Sequence, residues 1–394
     1  MGQEEFMNFI PLSVPSFQGR EKELVNKAII SEWVSSGGSF VSLFEKNIAK
    51  YVGIKRAIAT SSGTAALHIA LLESGVGRGD EVIVPTVTFI APINTVRYVG
   101  AEPIFMDCDE YLNIDVKKIE EFIEKKCNFN GKYLKNRNTG KVIKAIIPVH
   151  VFGHPVNMEH LMELAKKYNL IVIEDATESL GSRWIEGKFR NSKAGTIGDI
   201  GCFSFNGNKL ITTGGGGMIV CNDGKKAGHM KYLTTQAKDD EVKYIHNEIG
   251  YNYRMSNLQA ALGVAQLENI EKYIEIKRKN FKIYFNSLNG YKGLSFIEEP
   301  KYSRSNYWFY SLIVDKEKFG LSNIELMNKL AENKIQSRPL WFLNHLQKPF
   351  KSYLSYKIER AYNYYEKVLN IPCSVNLSEE EIDLVVRVIK KMSR

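Results

Sequence analysis

One lysine stands where an amine could meet a ligand unobstructed. In GCFSFNGNKLITTGGGGMIV (201–220), an apolar run over 202–205 enters an Asn-Gly-Asn turn. Lys209 follows, then Thr212, Thr213 and four glycines. Small hydroxyl and glycine neighbours leave the Lys209 amine room to lie against a ligand, and an amine held that way can do Schiff-base chemistry. Taken by itself, Lys209 also reads as a surface lysine in a glycine-rich hairpin. An upstream segment adds to the first reading. Ile171-Val172-Ile173-Glu174-Asp175 is a short apolar run closing on acids. That is the pattern of a buried parallel strand whose carboxyl end faces a ligand crevice. A lysine for an aldehyde and an acid for a pyridinium nitrogen are the groups that pyridoxal phosphate requires of a protein.

Three more sets of residues fit the same ligand. Thr60-Ser61-Ser62-Gly63-Thr64-Ala65-Ala66 runs from a strand end into a helix start, where N–H groups and the helix dipole attract anions. Serine and threonine also cap ordinary helices. Phe89, in Thr86-Val87-Thr88-Phe89, could stack on an aromatic ring or sit in the core. Asp175, followed by Ala176-Thr177-Glu178, would keep a ring nitrogen protonated. Ser204 lies at a strand end five residues before Lys209, a hydroxyl placed for a phosphate.

Alternating elements must carry these residues. RAIAT (56–60), EVIVP (81–85), EPIFMD (102–107), AIIPVH (145–150) and LIVIED (170–175) read as strands. Helices are expected at 63–75, 91–100, near 115–126 and at 157–168. Repeated βα units of this length specify a mostly parallel sheet covered by helices on both faces. The polar stretch 128–141 reads as an exposed excursion. From Ser256, an expected N-cap, one long helical run continues to 288. An aromatic strand at 306–314 and helices at 323–334 and 378–392 complete a small α+β unit. The expected division is an N-terminal arm (1–20), a large domain (21–255), and a connecting helix with a small C-terminal domain (256–394).

Composition narrows the class. The 394 residues are 44% hydrophobic and 25% charged, which suits a globular chain. No apolar run is long enough to span a bilayer, and the N-terminal segment has acids and no h-region, so no membrane or secretory role is expected. Five scattered cysteines without a CxxC pair argue against a zinc site or disulfide framework and fit a reducing cytoplasm, the expected location. The net charge of +9 is dispersed and carries no nucleic-acid motif, so no nucleic-acid partner is expected.

SSGTAALHIAL, VIVPTVTFIAP, VIEDATESLGS, FSFNGNKLITTGGGGM and GYNYRMSNLQAALG together resemble the DegT/DnrJ/EryC1/StrS family, in the family's order and over nearly the whole chain. The resemblance implies a pyridoxal-phosphate-dependent aminotransferase of fold type I (aspartate aminotransferase-like). That fold has a large domain with a mostly parallel seven-stranded sheet and a small C-terminal α+β domain. It implies that Lys209 carries the cofactor and is the catalytic residue, and that Asp175 pairs with the ring nitrogen. It also implies that Gly63, Thr64, Ala65 and Ser204 bind the phosphate and that Phe89 stacks on the ring. Asn252 would reach the phosphate of a neighbouring subunit's cofactor, making a homodimer with composite sites. Arg254, Trp341 and His345 would meet the substrate, although Trp341 and His345 also read as an aromatic-rich loop. His150 would border the cofactor or be structural. No metal is implied.

Two positions depart from the commoner family pattern. Glu178 stands where many members have glutamine, so a carboxylate would face the cofactor's phenolic oxygen. Gly215 replaces the acid of TTGEGG. Lys209 argues against the deoxygenating branch, which has histidine there. The terminal segments further resemble UDP-sugar 4-aminotransferases of bacillosamine- and legionaminic-acid-type pathways. The expectation is amination of a UDP-linked 4-keto-6-deoxy-N-acetylhexosamine with glutamate as donor, for surface glycan (lipopolysaccharide) synthesis. The alternatives are a GDP-linked perosamine-type substrate, a 3-keto sugar, a PLP-dependent dehydratase, or a non-catalytic regulator of the same fold.

Overall fold

The computed structural model describes residues 9–240 and 242–393, so residues 1–8 of the expected arm lie outside the described residues. Strands β1 (Arg56–Thr60), β2 (Asp80–Pro85) and β3 (Glu102–Met106) come first. The pair β4 (Cys127–Phe129) and β5 (Leu134–Asn136) follows, then β6 (Val142–Ile146), β7 (Ile171–Asp175) and the two-residue β8 (Arg183–Trp184). Next are β9 (Ile200–Ser204) and β10 (Gly217–Cys221). The large sheet runs in the order β1-β10-β9-β7-β6-β2-β3 and is extended at its edge by β15 (Ser355–Tyr356). From β9 to β3 all pairs are parallel, and β10 is antiparallel to both neighbours. These seven strands are the mostly parallel sheet expected from the sequence.

Apolar side chains leave both faces of that sheet. On β2, Ile83 enters one core, with the helices Ser39–Val52 and Asn257–Leu267, while Val82 and Val84 enter the other. That alternation follows from the two-residue period of a strand. The second face is covered by the helix Gly63–Glu73, which is buried nearly all round. It therefore holds its first turn rigidly at the carboxyl ends of β7 and β9.

Two expectations need correction, and one needs an addition. The stretch 128–141 is exposed at most positions, as expected, and contains most of a hairpin, β4–β5, that pairs with β6. Its polar sequence conceals two inward residues: Leu134 is in the core, and buried Asn136 donates Nδ2 to Glu81 at 2.9 Å. The strand expected at 145–150 is β6, shifted to Val142–Ile146. Pro148 offers no N–H, but the extended chain continues beside β7: the Pro148 carbonyl accepts the Asp175 N–H and the His150 N–H bonds to the Asp175 carbonyl, which places His150. The long run from Ser256 is two helices, Asn257–Leu267 and Ile270–Leu288, with Asn269 out of helical geometry (φ −106°, ψ 4°). The second helix spans two cores: Tyr273 and Ile274 pack in the first, Phe281, Tyr284 and Leu288 in another.

That other core belongs to an antiparallel sheet, β11 (Leu294–Phe296), β13 (Tyr310–Val314), β16 (Val368–Ile371) and β14 (Arg338–Pro339). A short strand β12 (Ser303–Arg304) pairs with β8 and ties the two parts together. Residues 10–14 cross the second part. Ile10 bonds to the Lys334 carbonyl, Leu12 N–H to Gln336 and Val14 N–H to Ser374.

Candidate active site

A cavity of about 840 Å³ opens where the carboxyl ends of β7 and β9 meet β14 and the chain around residue 13. Gly63, Thr64, Phe89, Asp175, Ser204 and Lys209 line it, as do Glu178 and Trp341. Segments as distant in sequence as Ser13 and Asn370 are thus brought to one space.

Each end of the cavity has its own chemistry. At one end the helix Gly63–Glu73 begins. Ser62 Oγ caps it by accepting the Ala65 N–H at 3.0 Å, so Ala65 is used in the cap and does not line the cavity. The first amides of a helix have no intrahelical partner and, with the helix dipole, favour an anion. Ser62, Thr64, Thr177 and Ser204 add hydroxyls around the same turn. Glycine is required on both sides of it. A Cβ on Gly63 would lie 2.9 Å from Ser204 Cβ, and one on Gly217 would lie 2.4 Å from the Ser62 carbonyl. At Gly215 a Cβ would meet only Gln259 Nε2, at 3.7 Å, so the missing acid is not a matter of space.

The floor carries the titratable groups. Asp175 ends β7, is 2% exposed, and accepts the Thr177 N–H at 3.1 Å. Burial pushes its carboxyl above the ordinary range, with Lys209 and His150 opposing. A buried carboxylate of this kind is stabilised by a cation brought against it. Lys209 Nζ lies 3.5 Å from Glu178 Oε1 and 3.9 Å from the centre of the Trp308 ring, a cation–π contact. Glu178 Oε2 accepts the Phe152 N–H at 2.9 Å. His150 stands behind this floor and does not line the cavity. Its Nδ1 accepts the Val156 N–H, so its Nε2 donates to buried Glu174, which also takes N–H groups of Gly195 and Ile197.

Aromatic residues form the far wall. Trp308 and Phe309 stack at 4.0 Å, and Phe152 packs against Trp341 at 4.7 Å. Phe89, 55% exposed, faces the cavity from the strand side.

Three expected residues lie elsewhere. His345 is held by Thr86 Oγ1 at 2.6 Å and Tyr362 OH at 2.9 Å and does not line the cavity. Asn252 and Arg254 also do not line the cavity of their own chain; Arg254 Nη2 lies 3.3 Å from Gln236 Oε1 and 3.4 Å from Asn252 Oδ1. Sequence reasoning did not single out Ser13, Trp308, Gln336, Arg338 or Asn370, all of which line it. Among the described residues the Arg338 guanidinium bonds only to the Ser337 carbonyl, at 3.3 Å. The available signals were the aromatic strand around Trp308 and the SRPLW run containing Arg338.

The donor set fits pyridoxal phosphate. An amine, a buried acid lacking a resident cation, an aromatic face and a glycine-lined helix start answer the aldehyde, ring nitrogen, ring and phosphate in turn. No group of His, Cys, Asp and Glu among the described residues is arranged to hold a metal, and no helix is long and apolar enough to cross a membrane.

Comparison with known proteins identifies the family. Residues 15–390 match the model of the DegT/DnrJ/EryC1/StrS aminotransferase family. The chain is 39% identical over 381 residues to a GDP-perosamine synthase of Escherichia coli O157:H7, covering 95% of this chain and 96% of that one. It is 35% identical over 389 residues to a GDP-perosamine synthase of Caulobacter vibrioides, covering 97% and 98%. Among solved structures, a DegT DnrJ EryC1 StrS aminotransferase from Brucella abortus superposes with a TM-score of 0.85 at 28% identity, over 95% of both chains. The chain belongs to the DegT/DnrJ/EryC1/StrS aminotransferase family, and its cofactor is pyridoxal phosphate.

Proposed function

We propose that this sugar aminotransferase places an amino group on the C4 keto carbon of a nucleotide-linked 6-deoxyhexose, with glutamate as donor. The observation that carries the reading is the joint lining of one cavity by Lys209, Asp175 and the helix start at Gly63. Bound there, pyridoxal phosphate supplies an aldehyde that holds the migrating amino group and a pyridinium that withdraws electrons.

The chain's own residues do the rest. Lys209 Nζ anchors the cofactor and, when released, moves a proton as general base and then acid. Asp175 holds positive charge at the ring nitrogen. Ser62, Thr64 and Ser204, with the helix start, hold the phosphate, and Phe89 orients the ring. The wall of Trp308, Phe309 and Trp341 excludes water, which strengthens the charge interactions on the floor. Arg338, a guanidinium with no carboxylate partner among the described residues, receives the anionic part of a substrate. Asn252, outside its own chain's cavity, serves the site of a second copy in a homodimer.

The terminal segments support a UDP-linked N-acetylated sugar. A second reading, a GDP-linked 4-keto-6-deoxymannose, is supported by relatives named GDP-perosamine synthase. The test is to load the protein, convert it with glutamate, and offer UDP-, GDP- and dTDP-linked 4-keto sugars. One nucleotide should be aminated at C4, and Arg338→Gln should raise KM several-fold with a smaller change in kcat. Amination at C3, or of none of the panel, would overturn the reading.

A further inference from the structure

Glu178 is the one floor residue whose chemistry departs from what the family resemblance implies, and its surroundings give it a definite task. An amide in its place would not ionise and could not take up a proton. The residue is 4% exposed, and one oxygen of its carboxyl is fixed. Oε2 takes the Phe152 N–H at 2.9 Å, from a residue in the left-handed region at φ 54°. The Glu178 main-chain carbonyl accepts Asn306 Nδ2 at 3.0 Å, which holds the backbone. With Oε2 bonded to Phe152, the other oxygen faces Lys209, whose Nζ lies 3.5 Å away.

The charged groups that face Glu178 are few. Lys209 comes from the β9–β10 connection and Asp175 from the end of β7, while the Phe152 turn offers an N–H and the chain beyond β12 the uncharged Trp308. His150 is directed to Glu174. With Lys209 an ammonium ion, the floor holds one positive and two negative charges. Lys209 must be a neutral amine to attack a carbonyl carbon, and two buried carboxylates would then face each other unopposed.

We propose that Glu178 is the proton store of the site, taking the proton that Lys209 gives up and keeping it in the cavity. The N–H bond at Nζ breaks and an O–H bond forms at Oε1. Ammonium and carboxylate become amine and carboxylic acid, so total charge is unchanged and no co-reactant is needed. Burial supports this, since it pushes the Glu178 carboxyl up to about 7 against the opposing effect of Lys209. The neutral acid then presents a donor, rather than a second negative charge, to an anionic neighbour.

The inference rests on the reading that Lys209 takes up pyridoxal phosphate, and one experiment separates the two. Calorimetric titration of the cofactor-free protein with pyridoxal phosphate, at about pH 8 in buffers of different ionisation heat, counts protons released per site, starting from a Glu178 carboxyl that is mostly ionised. A visible absorption band reports loading independently. Glu178→Gln should load and release about one proton per site more than the wild type. Equal counts in two proteins that both load would overturn the proton store while leaving the cofactor reading intact. A wild type that fails to load would overturn both. If Glu178→Gln does not fold, the infrared difference spectrum of the wild type on loading decides: a gained carboxylic-acid stretch is expected, and its absence is fatal.

Discussion

Asp175 shows how much one buried side chain is asked to do. Its carboxyl sits at the end of β7 where desolvation disfavours its charge, with no cation bonded to it among the described residues. A protonated ring nitrogen would supply that charge. Asp175→Asn keeps the shape and the Thr177 contact but removes the charge. We expect turnover to fall by on the order of a hundredfold, as when a buried electrostatic partner is lost. Cofactor affinity should change by less than about tenfold. Turnover and cofactor affinity measured on one preparation check this, and unchanged turnover would remove Asp175 from the mechanism. Residues of this kind were legible because their motifs are contiguous: VIED, FSFNGNK and SSGTAA each hold a whole piece of the site. Ser13, Trp308, Gln336 and Arg338 were not legible. Each arrives singly from a distant segment, and no local pattern says that residue 13 will lie beside residue 208, as its hydroxyl does.

At the scale of elements, the glycine run and the helix start form one unit. Gly217 opens β10, and its Cα faces the Ser62 backbone so closely that a Cβ would come within 2.7 Å of Gly63 N. Backbone cannot yield there as a flexible side chain could. Gly217→Ala should therefore displace the anion-binding turn, costing about 1–3 kcal/mol of stability and weakening pyridoxal phosphate binding more than it slows the bound enzyme. Chemical denaturation and cofactor titration test both parts; no change in either would show that the turn is not held by this contact. The strands that carry the site were readable from apolar runs because they are buried on both faces. The β4–β5 hairpin was not, since the partner that satisfies Asn136 is Glu81 on a distant strand. Nor was the break at Asn269, where neither proline nor glycine marks the point at which the chain turns from one core toward another.

At the scale of the whole molecule, the position of Asn252, outside its own chain's cavity, makes the proposed second copy testable. In the proposed homodimer each site takes Lys209 from one chain and Asn252 from the other. Neither Lys209→Ala nor Asn252→Ala alone should turn over appreciably. Mixed dimers of the two should regain activity, because one site of each then carries neither substitution. Failure to complement, with mixed dimers shown by mass, would place both residues in the same chain's site.

The most direct measurement of the central claim is chemical. The protein is loaded with pyridoxal phosphate, reduced with borohydride, digested, and mapped by mass spectrometry. The account predicts a pyridoxyl group on the peptide containing Lys209, absent in Lys209→Ala. A label on another lysine, or none on a protein that shows the cofactor's visible band, would contradict it.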